Sequence, residues 1–214
     1  MQIVEPVTMI TDYALAAVTA VLATLLIRVA RRHQQLSIWL WATAFLATAL
    51  ASLTGGTYHG FSLVLSDTGK AILWKGAVYS IGIASFLMLS GTILASVPRA
   101  VGKWLLGAAA LQLAAYAVWM MTHDDFLYVI YDYAPAMVAV LVLQGFAAHT
   151  RRDPSAPWII AGVLVSFGAA GIQQSGFDIH QHFNHNDLYH IVQMGAVYLL
   201  YRGACLSRDR WGAT

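Results

Sequence analysis

Near its carboxyl end the chain reads GFDIHQHFNHNDLYHIVQMGAVYLLYRGA, which puts His180, His182, His185 and His190 within eleven residues, directly before an apolar run. Imidazole changes charge nearest neutrality and is the commonest metal ligand. A histidine cluster at the mouth of a greasy segment therefore points to metal binding or proton handling. A second polar stretch, SLTGGTYHG, carries Ser52, Thr54, Thr57 and His59 at the end of another apolar run. Asp12, Lys75, Ser80, Asp132, Gln173, Gln174 and Asp187 also lie at or inside the ends of such runs. An ionisable group there is costly, and it usually faces a bundle interior or a wet cavity.

The elements that must position these residues follow from composition. Of the 214 residues 59% are hydrophobic and 10% charged, against about 25% charged in a soluble domain. Too few polar side chains exist to cover a water-facing surface, so the expectation is an all-α, polytopic membrane protein. A spanning helix needs roughly 20 apolar residues, and seven runs qualify: about 12–30, 37–60, 71–96, 104–122, 127–148, 157–175 and 186–204. They form one seven-helix transmembrane domain with short links. No cleavable signal peptide is expected, because MQIVEPVTMITD has no basic region before its apolar core.

Orientation is read from the basic residues. With the amino terminus outside and the carboxyl terminus inside, the inner loops and tail hold Arg28, Arg31, Arg32, Arg99, Lys103, Arg151, Arg152, Arg202, Arg208 and Arg210, ten of the twelve Lys and Arg. The acids take the other side, including Glu5, Asp12, Asp67, Asp124, Asp125, Asp132, Asp178 and Asp187. Basic residues in short clusters between apolar runs give no nucleic-acid surface. Short loops point to a bacterial inner membrane, and the oligomeric state is left open.

Polar groups from six of the seven helices thus fall at a similar depth on the outer side, while the inner halves are nearly free of them. One outward-opening polar chamber explains this alignment. The fourth helix, WLLGAAALQLAAYAVWMM, offers little and reads as peripheral. Simpler roles compete at each position. Asn184 with Asp187 at the third helical position resembles a capping box, Lys75 and Asp132 could neutralise each other, and the glycines at 55–56 could serve only close packing. His185 is five residues before His190, rotated by about 140° on a regular helix, so it joins a shared site only through an irregular helix start.

Several chemistries are excluded. Cys205 is the only cysteine, so there is no disulfide and no cysteine metal site. Neither G-x-S-x-G nor H-E-x-x-H occurs, and the seventh helix has no lysine for a retinal Schiff base.

His59 in helix two and HNDLYHIVQ at the head of helix seven resemble the paired motifs of the CREST superfamily of seven-helix transmembrane hydrolases, which includes alkaline ceramidases and progestin/adipoQ receptors. This chain departs from the family pattern in three places. Its helix-seven spacing is His185-x-x-x-x-His190, one residue longer than the family's, Gly55 stands where the family has Ser, and the acid nearest helix three is Asp67. The resemblance implies zinc held by His59, His190 and His185, lowering the pKa of a bound water for attack on an acyl carbonyl. It implies cleavage of an amide or ester bond of a membrane lipid, with Asp132, Asp187 or Asp12 as base or tautomer-fixing partner and Lys75 or Ser52 at the oxyanion. A receptor or sensor with a structural metal or bound lipid is the alternative. A proton pathway ranks last, because few polar residues continue inward.

Overall fold

The computed structural model describes residues 3–180 and 183–211 and is built from seven helices: α1 (Pro6–His33), α2 (Leu36–Phe61), α3 (Asp67–Ser96), α4 (Arg99–Trp119), α5 (Leu127–Arg151), α6 (Ala156–Ser175) and α7 (His185–Leu206). All but α7 are long and apolar enough to cross a membrane, which makes the chain a multi-pass helical membrane protein. Each predicted run becomes one helix, matched or extended by a few residues at each end, except that α4 stops at Trp119, three residues short of the expected 122. Asp12 does not open α1. That helix begins at Pro6, a residue that suits a first turn because its missing N–H has no helical partner there. Asp12 therefore sits about 9 Å into the helix.

Neighbour packing defines a ring. α1 packs on α2, α2 on α3, α3 on α5, α5 on α6, α6 on α7, and α7 returns to α1. α4 stands outside this ring, against α3 and α5, and its Trp104, Leu111 and Val118 are largely exposed. The peripheral placement expected for the fourth helix holds.

Small residues set the closest approaches, as they do where two helices pack without a hydrophobic driving force between them. Gly56 and Gly60 form a G-x-x-x-G stripe on α2. A methyl group on Gly56 would stand 2.8 Å from Asp12 Cβ, and one on Gly60 would collide with the Met9 side chain. Between α6 and α7, a methyl on Gly203 would meet Ile159 and the Ser155 carbonyl, and one on Gly162 would meet Leu200. The carboxyl-terminal segment closes the opposite end of the ring. Asp209 accepts hydrogen bonds from Leu36 N at 2.6 Å and Ser37 N at 2.9 Å, capping α2 from a distance.

Gly203→Leu is expected to lower stability by about 1–3 kcal/mol through overpacking. Gly168→Leu, where the structure offers open space on the neighbouring helix, should be neutral. Thermal midpoints of the two variants in detergent check the contrast.

Candidate ligand cavity

A cavity of about 180 Å³ lies inside the ring, walled by all six ring helices and by none of α4. On α2 its wall runs from His59 to Thr48, about 16 Å at 1.5 Å per residue. Its body is apolar, with Leu15, Val78, Ile81, Met88, Phe167 and Leu200 among the lining residues. One end is polar and carries Asp12, His59, Gln173 and His190, with Trp74 and Tyr189 beside them. The volume is comparable to apolar cavities of about 150 Å³ that stay dry and accept small apolar molecules.

The polar end is assembled by α1, α2 and α7. Asp12 Oδ1 lies 3.2 Å from His190 Nε2, and both side chains are buried, 7% and 8% exposed. Thr11 Oγ1 lies 3.0 Å from His190 Nδ1, and also 3.0 Å from the carbonyls of Val7 and Thr8. Its hydroxyl has a single hydrogen, so two hydrogen-bond networks are available. When Thr11 donates to a helix carbonyl, Nδ1–H donates to Thr11, and one proton is shared between Nε2 and Asp12. When Thr11 donates to Nδ1, Nε2–H donates to an ionised Asp12. The two networks differ by one proton.

His59 Nδ1 lies 3.0 Å from Glu5 Oε2 in a half-exposed pair. Asn184 caps α7, accepting from Asn186 N and Asp187 N, while Asp187 Oδ2 accepts from Asn184 N at 2.8 Å. The capping box read from the sequence is present. Asp187 is 1% exposed and its Oδ1 has no hydrogen-bond partner among the described residues.

The sequence-derived candidates separate into two groups. Asp12, Ser52, His59 and His190 line the cavity together, and Asp187 stands within electrostatic reach of Asp12. Three others lie elsewhere. His185 is the first residue of α7, and its Nδ1 lies 2.9 Å from Asp178 on the exposed side. It is absent from the cavity lining, in keeping with its rotation away from His190. Lys75 does not pair with Asp132. It bonds Asp124 at 2.7 Å and donates to the carbonyls of Met120 and His123, fastening α3 to the α4–α5 turn. Asp132 faces α4 and accepts from Gln112 Nε2 at 3.1 Å, beside a separate cavity of about 10 Å³ with room for one water. His180 pairs through its backbone with Phe183, and His182 lies outside the described residues.

Three side chains at the site were not picked out from the sequence as site residues. Gln193 lines the cavity and donates to Ser166 at 3.2 Å. Its position three residues after His190 puts it on the same helix face, a signal the spacing carried. Thr11 and Glu5 left no such mark, since their roles depend on partners on α7 and α2.

Zinc needs three converging protein donors plus an open position in a catalytic site. Here His59 Nδ1 is held by Glu5, both nitrogens of His190 have protein partners, and His185 points to Asp178. Among the described residues no three His, Cys, Asp or Glu side chains are grouped to hold an ion. The donor set as arranged does not fit zinc.

Outside the helices, hydrogen bonds from the His185 side chain and backbone hold the Asp178 carboxyl below its ordinary value of 3.8. A carboxylate with a depressed pKa contributes stability above its unfolded pKa and loses it as pH falls through the lower, folded value. His185→Ala should return Asp178 towards 3.8, measured by NMR titration of its carboxyl carbon, and should leave ligand binding in the cavity unchanged.

A model for a family of unknown function (DUF6962) matches residues 7–209. No curated protein and no solved structure matches the chain.

Proposed function

The chain belongs to this family of unknown function (DUF6962), and since membership brings no activity with it, we propose a function from the cavity: an intramembrane binding protein of the receptor or sensor class for a single-tailed amphiphile. The tail occupies the apolar body and the head meets the polar end formed by Asp12, His59 and His190. One observation carries this reading. Six helices converge on a cavity whose acid and histidine side chains, Asp12, His59 and His190, all lie at one end, the layout of a site with a few placed polar groups in an apolar pocket.

The membrane setting completes the proposal. α7 spans the bilayer with the other six as the helix that closes the ring, and its lower hydropathy comes from Asn186, Asp187, His190, Gln193 and Arg202. Arg28, Arg99, Arg151 and Arg202 belong to the end opposite His59 and His190, and the positive-inside rule supports reading that end as cytoplasmic and the polar end as outward. The ligand then enters from the outer leaflet.

A metal-dependent amidase or esterase is the second reading, favoured by one observation: His59 and His190 line the same cavity. It requires both rings to release their present partners, and no catalytic step is assigned to it. Metal analysis of wild type, His59→Ala and His190→Ala decides between the two. The binding reading expects no stoichiometric zinc in any of them. About one zinc per chain in the wild type, lost in both variants alongside fatty-acid release from acyl lipids, would replace it.

A bulky side chain in the cavity tests the primary reading. Ala84 lines the cavity and is buried, whereas Ala110 on α4 is exposed and touches no part of it. Ala84→Trp is expected to abolish amphiphile binding detected by native mass spectrometry, and Ala110→Trp to preserve it. Equal binding in both variants would refute the cavity as the site.

A further inference from the structure

We propose that the head of the bound amphiphile is cationic, an ammonium or substituted amine, and that Asp12 is the group that selects it. This deepens the reading of the cavity as an amphiphile site and rests on it.

The charges at the polar end are unbalanced. Glu5 and Asp187 both lie within electrostatic reach of Asp12, so three carboxyl groups share a small volume. No lysine or arginine serves them. Lys70 pairs with Asp67 at 3.2 Å, Lys75 is taken by Asp124 and two carbonyls, and the other ten basic residues belong to the opposite end. Of the residues that line the cavity only His59 and His190 are able to carry positive charge, each already beside one carboxylate. A buried carboxylate without a cation is strongly disfavoured, and a paired one much less so.

One oxygen at this end has nothing to bond among the described residues, and another faces the cavity. Asp187 Oδ1 is buried and unpartnered. Asp12 Oδ2 faces Gly55 on the cavity wall, 3.6 Å from where a methyl group would stand. The Asp12 residue itself is 5% exposed. A buried acceptor without a donor is costly, and a ligand that brings a donor to the polar end meets Asp12 at the cavity wall with Asp187 within its electrostatic reach.

Aromatic faces add to the fit. Trp74, Tyr133 and Tyr189 line the same cavity, and a cation near such a ring is attracted to its face. The two hydrogen-bond networks of Thr11, His190 and Asp12 then have a use. A cationic head favours the network in which Thr11 donates to Nδ1 and Asp12 is ionised. Binding of an ammonium would thus release one proton from any molecule holding it at this pair, and the head, Asp12 and His190 would together carry no net charge.

The experiment compares three probes that share one alkyl tail: dodecylamine, dodecanol and dodecanoate. Each is titrated against the full chain in nanodiscs, with signal retained by Ala84→Trp subtracted as bulk partition. The proposal expects the amine to bind at least about tenfold more tightly than the alcohol, as for a hydrogen bond to a charged group, and the carboxylate to bind most weakly. Asp12→Asn should remove the amine's advantage over the alcohol when both are measured in that variant. Alcohol binding as tight as amine binding in the wild type overturns the cationic head while leaving the amphiphile site standing. An amine preference that survives in Asp12→Asn also overturns the assignment. Failure of all three probes to bind overturns the amphiphile reading itself. The wild-type comparison decides the head group even if Asp12→Asn does not fold.

Discussion

A carboxyl group and an imidazole buried against each other join the first helix to the last: Asp12 Oδ1 lies 3.2 Å from His190 Nε2. Inside a bilayer every helix satisfies its own backbone, so association between helices falls to packing and to polar side chains that must find one another. Asp12 and His190 are such side chains, and their contact helps to close the ring. Around them Thr11 bonds the other nitrogen of His190, Asn184 donates to Thr8 at 3.5 Å, and Glu5 reaches His59. α1 is thereby tied to α7 and to α2 at one level. At the same level Gly56 and Gly60 pack against Asp12 and Met9 of α1, and further down Gly162 and Gly203 bring α6 and α7 together. The cavity is the space this arrangement leaves.

The opposite end is secured by different means. Arg210 donates to the Ser96 carbonyl at 3.1 Å, Trp211 Nε1 donates to the Val97 carbonyl at 3.1 Å, and Arg151 reaches the Ala95 carbonyl. These cations and donors meet the carboxyl end of α3, where unsatisfied carbonyls carry partial negative charge. Asp209 does the converse at the amino end of α2, accepting its free N–H groups. One end is therefore fixed by helix-terminus contacts to a folded tail. The other depends on pairs of titratable side chains whose hydrogens can be redistributed. Chemistry that answers to a ligand belongs at the second end.

Much of this architecture was legible in the chain. Hydrophobic runs gave the seven helices, because a spanning segment needs length and apolarity and little else. The polar alignment at one end and the peripheral α4 followed from the same runs. Partner choice was harder to read, because it depends on how each helix is rotated about its axis. On α5, Val129, Ile130, Tyr133 and Ala134 face the cavity, as does Phe126 just before the helix. Asp132 is turned about 100° from Tyr133, and it meets Gln112 of α4 instead. Lys75 found Asp124 because the turn after α4 brings that residue back over α3. His185 illustrates the reverse case. Helical geometry alone separated it from His190, and the motif resemblance that joined them is not matched by the arrangement of the rings.

Asp132 and Asp187 also show where ordinary packing logic stops. Both are buried acids near helix starts. Asp132 has an amide partner supplied by the peripheral helix, an arrangement that satisfies the side chain and leaves room for little more than a water. Asp187 gives one oxygen to the cap of α7 and leaves the other unbonded, within electrostatic reach of an Asp12 whose second oxygen faces Gly55 at the cavity wall. Unsatisfied buried polar atoms are uncommon in folded proteins, and each one present needs a reason. Local rules of stability are broken most readily where function requires it. A chain able to give Asp132 a glutamine had the means to quiet Asp12 and Asp187 as well. It leaves Asp187 Oδ1 without a protein donor, within electrostatic reach of an Asp12 that faces the cavity, and under the proposed reading what enters the cavity supplies the missing partner.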